Sequence, residues 1–182
     1  MSLSSSEIFE MAIRAEKPVL YVAGDVERDM YSRVATALAF LTAKGSPDLE
    51  IVIDSNGGSV AAGLDIYDII RLYKGKTVGT VISKAASMGA IILQACSVRK
   101  CALHAEILIH HISRKSVSLD TLKNHEDHQK LVKEMEVDQQ RQYNILVKKT
   151  GQTEEKIIET CKLDKFMSAE EAKAFGLVDE VI

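Results

Sequence analysis

The feature that most limits the fold is an alternation. "PVLYVAG" (18–24) reads as a short buried strand, "LEIVID" (49–54) and "TVGTVIS" (77–83) read as a second and a third strand, and a helical pattern follows each one. The first pattern lies within "DVERDMYSRVATALAFLTAKG", where Val34, Leu38 and Leu41 recur every three to four residues and Gly45 provides a stop. The second, "SVAAGLDIYDIIRLYKG", carries Ala62, Ile66, Ile69, Ile70 and Tyr73 on a helical period and ends at Gly75. The third, "AASMGAIILQAC", is apolar nearly all round and is expected to be buried. "VRKCAL" (98–103) and "AEILIHH" (105–111) read as further strands. Strands and helices alternating in units of about 30 residues argue for a parallel α/β sheet with right-handed crossovers.

The second half changes character. From Leu119 to Lys149 no glycine or proline interrupts a helical pattern, so one long helix is expected. Its start, "KNHEDHQK", is polar all round, while its later part carries Leu131, Val132, Met135, Tyr143, Leu146 and Val147. A helix with a solvated start and an apolar continuation should project and meet a partner. "TEEKIIETCK" is a further short helix. "SAEEAKAFG" has the capping-box spacing Ser168/Glu171 and a glycine stop at Gly176, and "LVDEVI" ends the chain as an extended segment. No repeat, low-complexity tract or linker divides residues 1–182, which read as a single domain; Met1–Leu3 read as a cloning remnant.

With 46% apolar and 27% charged residues, the 182-residue chain can bury a core and is not a disordered type. Its formal net charge of -3 gives no general attraction to nucleic acid or to anionic membrane. No apolar run approaches a membrane span, and the N-terminal stretch has no signal-peptide core, so a cytoplasmic location is expected. Cys96, Cys101 and Cys161 have neither metal-type spacing nor an even count, and read as buried thiols.

Three segments could carry chemistry. In "SKAASMGA" (83–90) small residues flank Ser87 on both sides, as a sharp strand-to-helix elbow requires if it is to expose a hydroxyl. The same small residues also suit plain helix packing. If Ser87 opens the helix, nearby amides, including that of Met88, could face a developing negative charge. In "DSNGGSV" two glycines directly after a strand either make a tight turn or bring an amide, that of Gly58, to the same point. Both follow strands, at the sheet edge where ligands collect in open α/β folds. A base is the third need. His125 and His128 lie in the polar stretch and His104 in a connection, whereas His110 ends "ILIH" at a strand end. His111 competes with it and should face the opposite side if the strand continues. Asp164, in the connection before "FMS", is the attractive acid to orient an imidazole.

In this order, "DSNGGSVAAGLDIYD", "AASMGA", "LIHH" and "LDKFMSAEEAKAFGLVDEV" resemble the proteolytic subunit of the Clp protease. The resemblance runs from "PVLYVAGDV" to "GLVDEVI", and the 29 residues from Gly58 to Ser87 match the family interval. It implies a crotonase-like α/β fold with repeated β-β-α and βα units and a projecting handle helix at about 119–149. It further implies Ser87 as nucleophile, His110 as general base, Asp164 as orienting acid, and the Gly58 and Met88 amides as oxyanion donors. No metal or organic cofactor would be required. The substrates would be peptides or unfolded proteins. The chain would form heptameric rings, stacked as a tetradecamer through the handle, and could pair with an AAA+ unfoldase.

The chain departs from the family pattern in several places. Asn56 stands where the family has proline, and "SKAAS" where it has "GQAAS". Lys84 therefore raises a rival, a serine–lysine dyad with Ser87. "HISRKSVSL" replaces the family's "QP" and glycine-rich strand, which bears on substrate preference and ring-to-ring geometry. The axial-loop segment is short, and "EIVID" replaces an aromatic-bearing strand, which weakens the features that dock an unfoldase. Two other readings stand beside the peptidase: a catalytically silent ring-forming paralogue, and a crotonase-type enzyme acting on acyl-CoA.

Overall fold

A computed structural model describes residues 5–114 and 116–182, with side chains described from Glu10 onward; the reading of Met1–Leu3 lies outside the described residues. The elements run α1 (Ser5–Arg14), β1 (Val19–Val26), α2 (Arg28–Ala43), β2 (Leu49–Gly58), α3 (Val60–Leu72), β3 (Thr77–Ala86), α4 (Met88–Leu93) and β4 (Val98–Cys101). They continue with β5 (Glu106–Leu108), α5 (Leu119–Lys123), α6 (His125–Thr150), α7 (Glu154–Leu163), β6 (Met167–Ser168), α8 (Ala169–Phe175) and β7 (Glu180–Val181). Among the described residues, seven strands form one sheet in the order β1-β2-β3-β4-β7, and β5 branches from β3 to pair with β6. All pairs are parallel except β5–β6, as the βα alternation requires.

One face of the sheet makes the core. Leu20, Val22, Ile51, Ile53 and Val81 point to it and are fully buried against Met30, Val34, Leu38 and Leu41 of α2 and Ile66 and Ile70 of α3. All six residues of α4 are buried, in line with its all-round apolar pattern. β2 and β3 are buried on both faces at their centres, Ile51–Ile53 and Gly79–Val81, but β1 and the end of β3 are not. β1 alternates, so Leu20 is inside while Tyr21 is 50% exposed, and in β3 the neighbour of Val81, Ile82, is 52% exposed.

The expected single helix over 119–149 is two helices. Ser118 caps α5 by accepting from the Thr121 amide, and the chain then breaks at Asn124 (φ -82°, ψ 113°). The Asn124 side chain accepts from the amides of Glu126 and Asp127, which starts α6 afresh. A capping asparagine can interrupt a helical pattern without any glycine or proline. The first turns of α6 are exposed and later ones bury Leu131, Tyr143 and Leu146. α8 carries the expected capping box at Ser168/Glu171, and Gly176 closes it at φ 95°.

A charged cluster holds the C-terminal part to the sheet. Arg99, 9% exposed, binds both carboxylate oxygens of Asp179 (2.6 and 3.2 Å), Gln94 Oε1 (2.7 Å) and the carbonyls of Gly176 (2.7 Å) and Lys149 (3.2 Å). The Arg99 amide donates to the same carboxylate at 2.7 Å. One guanidinium thus ties β4 to α6, to the end of α8 and to the approach to β7.

Candidate active site

β3 ends at Ala86 and α4 begins at Met88, so Ser87 makes the whole strand-to-helix turn. Its backbone sits at φ 55°, ψ -123°, a conformation that residues with a Cβ rarely adopt. Hydrogen bonds on both sides hold it there. The Ser87 amide donates to the Leu108 carbonyl (2.9 Å), and its own carbonyl accepts from Ala90 (3.0 Å) and Ile91 (3.2 Å).

The two glycines of "SNGG" explain why the elbow can be so sharp. A Cβ on Gly57 (φ 89°) would lie 2.6 Å from Ser87 Cβ, 2.8 Å from the Ala86 oxygen and 2.9 Å from the Met88 nitrogen. A Cβ on Gly58 would lie 2.4 Å from the Val26 oxygen. The segment is therefore not a free turn. β2 runs through it to Gly58, paired with β1, and its register with β3 shifts between Ile53 and Ser55. Ser55, buried in that irregularity, donates from Oγ to the Gly24 carbonyl (2.6 Å) and accepts from the Gly57 amide (3.0 Å).

The same pairing that fixes the elbow places His110. Ala86 is opposite Leu108 in the β3–β5 ladder, so the chain leaving β5 carries His110 to the side of Ser87. Ser87, His110, Gly57 and Gly58 line one cleft of about 500 Å³. Asp164 follows from the antiparallel pairing of β6 with β5, since it lies three residues before β6 and caps α7 in a left-handed conformation (φ 46°). Its Oδ1 is 3.9 Å from His110 Nδ1, and its side chain is 72% exposed against 26% for His110. Met88 is not among the residues lining the cleft. Its side chain is fully buried beneath Gly63 and within 3.4 Å of Gln142 Nε2, and its amide, the first of α4, has no acceptor within the helix.

His111 does not face the opposite side. β5 stops at Leu108, so strand alternation no longer applies, and both histidines line the cleft. They differ in their partners. His111 Nδ1 is 2.6 Å from the Tyr143 hydroxyl and its ring meets Tyr143 edge-on, while the neighbouring Ile112 amide donates to Gln139 Oε1 at 2.6 Å. Burial pushes the Tyr143 phenol above its ordinary value, with Cys161 and Glu154 adding to the effect. Among its described residues "HISRKSVSL" forms no strand before α5 begins at Leu119, and α6 holds its first residues through side chains. Lys84 is half-buried in β3, opposite Glu106 of β5, and is not among the residues lining the cleft.

His104, His125 and His128 are exposed and lie away from the cleft. Burial pushes the Cys96 thiol up to about 12 and those of Cys101 and Cys161 up to about 11, so each stays protonated at neutral pH. The polar face that α6 turns toward the cleft, Glu134, Asp138 and Gln142, was not picked out in the sequence. Its signal was a spacing of one helical turn between polar residues, which is hidden when helix faces are sought by their apolar residues.

A chain with this strand-to-helix elbow, and with a histidine and paired glycines in one cleft, has the layout of an α/β serine hydrolase. The family model described as Clp protease matches residues 4–182, and the chain belongs to that family. It is 38% identical over 168 residues to the ATP-dependent Clp protease proteolytic subunit 2 of Chlamydia trachomatis serovar D, covering 90% of this chain and 80% of the relative. The same figures hold for that subunit of serovar A. Among solved structures, the ClpP protease catalytic domain of Plasmodium falciparum superposes with a TM-score of 0.83 at 25% identity, over 100% of this chain and 93% of the other. The crotonase-like α/β fold of the Clp peptidase is therefore that of this chain. Among the described residues, no helix is long and apolar enough to cross a membrane.

Proposed function

We propose that residues 1–182 form one cytoplasmic peptidase domain, a serine endopeptidase that hydrolyses peptide bonds of peptides or unfolded proteins inside an oligomeric chamber. The observation that carries the proposal is the left-handed elbow at Ser87, facing the same cleft as His110 and the Gly57–Gly58 backbone. Ser87 Oγ attacks the scissile carbonyl while His110 takes its proton. The amides of Gly58 and Met88 receive the oxyanion, and His110 passes the proton to the departing amine. Water, deprotonated by His110, then releases the acyl group and restores Ser87. With Nδ1 toward Asp164, His110 has Nε2 free for these transfers, and the Asp164 carboxylate stabilises the imidazolium.

The family membership supports ring assembly, as heptamers stacked in pairs. The exposed Tyr21 and Ile82 of the sheet and Val132 and Val137 of α6 offer apolar surface for subunit contacts. An AAA+ unfoldase is the partner that the relatives' description as ATP-dependent suggests. A second reading, a silent ring-forming subunit, is favoured by one feature. The His110–Asp164 separation of 3.9 Å is longer than a hydrogen bond, and among the described residues Ser87 Oγ has no hydrogen bond to His110. Hydrolysis of fluorogenic peptides by the assembled protein separates the two. Turnover that falls about 10⁴-fold or more in Ser87→Ala and in His110→Ala supports the peptidase. Turnover unchanged by Ser87→Ala, or none in assembled wild type, overturns it.

A further inference from the structure

We propose that the cleft selects peptides carrying a lysine or arginine side chain; this rests on the reading of the cleft as a peptide-binding site. Glu134, Asp138 and Gln142 are one helical turn apart on α6, and all three line the cleft. Asp25 and Glu27, from the end of β1 and the start of α2, line it as well. Four carboxylates thus face one guanidinium, that of Arg114, among the described residues lining the cleft. Asp25, Glu27 and Glu134 form no salt bridge among the described residues. Asp138 pairs with Arg141 at 2.9 Å, an exposed pair that an incoming cation can replace.

Gln142 is the second and independent pointer. It is 5% exposed, and its Nε2 reaches the Met88 sulfur at 3.4 Å. Its Oε1 has no hydrogen bond among the described residues and is not a buried unpaired atom, so it stands as an accessible acceptor at the cleft wall. Val60 and Met135 line the same space with apolar surface. Lysine and arginine combine an apolar stem with a cationic head that only donates, which matches this arrangement of apolar wall and acceptors. An acidic side chain would meet like charge, and a leucine-type side chain would leave the carboxylates and the Gln142 oxygen unanswered.

The test uses binding, so it does not depend on the chemistry of Ser87. Fluorescent hexapeptides with Lys, norleucine or Glu at each position in turn are titrated onto the assembled Ser87→Ala protein at low and high salt. The expected result is a position where Lys binds about tenfold or more tighter than norleucine, with Glu weakest, and where added salt erodes the difference. In Ser87→Ala with Glu134→Gln and Asp138→Asn, the Lys-to-norleucine ratio should fall toward one. Equal binding of the three peptides, preference for Glu, a ratio unchanged in the charge variant, or no binding of any peptide overturns the proposal. If the wild type hydrolyses peptides while the three bind alike, only the selectivity falls and the peptidase reading stands.

Discussion

Gly57 gives the sharpest way to probe the elbow, because the chain contains its own control. Gly57 and Gly24 have almost the same positive φ, 89° and 88°, so an alanine at either position pays a left-handed penalty of about 1–2 kcal/mol. They differ in what surrounds the new methyl. At Gly24 nothing lies within 4 Å, whereas at Gly57 the methyl would sit 2.6 Å from Ser87 Cβ, 2.8 Å from the Ala86 oxygen and 2.9 Å from the Met88 nitrogen. These are main-chain atoms and a Cβ, which cannot rotate aside. Relief to ordinary contact near 3.5 Å requires the elbow to move by roughly 1 Å, and overpacking of this kind adds about 1–3 kcal/mol. A displacement of 1 Å at reacting groups costs about 10²-fold in rate. Denaturant unfolding and peptide hydrolysis, run side by side, should show Gly24→Ala destabilised by about 1–2 kcal/mol with near-normal turnover. Gly57→Ala should be less stable still and slower by about 10²-fold. Equal stability and equal turnover in the two variants would refute the packing of Gly57 under Ser87.

Arg99→Met should strand Gln94 Oε1 and two carbonyls in the interior and release Asp179. We expect a loss of about 3 kcal/mol, which for a domain of this size is a fall in Tm of about 6–12 °C; a change below about 1 kcal/mol would show that the cluster contributes little. The same carboxylate predicts a pH dependence. Burial alone would raise Asp179, but the hydrogen bonds and charge of Arg99 outweigh it and hold the group below its ordinary value of 3.8. Its contribution is therefore complete above that value and is lost as the pH falls through the depressed folded one. Wild type should lose more stability than Arg99→Met between about pH 5 and about pH 3, and parallel acid curves would contradict this.

The βα alternation, the buried α4 and the capped α8 were legible in the sequence because each rests on a local rule of spacing or capping. The break at Asn124 was not, since an asparagine in a polar stretch reads equally well as helix surface or as cap until its side chain is seen taking the Glu126 and Asp127 amides. Ser87 stood out locally, but its strained φ did not, because the strain is held by Leu108 and Gly57, which are distant in sequence. His110 and His111 could not be separated by strand alternation, because β5 ends before either. Arg99 escaped notice for a related reason. Its partners come from α4, α6, α8 and the approach to β7, so nothing in its own neighbourhood marks it as buried.

The most direct measurement is the rate and position at which a fluorophosphonate phosphonylates the assembled protein with loss of fluoride, followed by mass spectrometry of the digested chain. An elbow that presents Ser87 to His110 predicts a single adduct, on Ser87, forming at least about 10³-fold more slowly in His110→Ala. An adduct on another residue, an unchanged rate in His110→Ala, or a folded and assembled wild type that takes no label would contradict it.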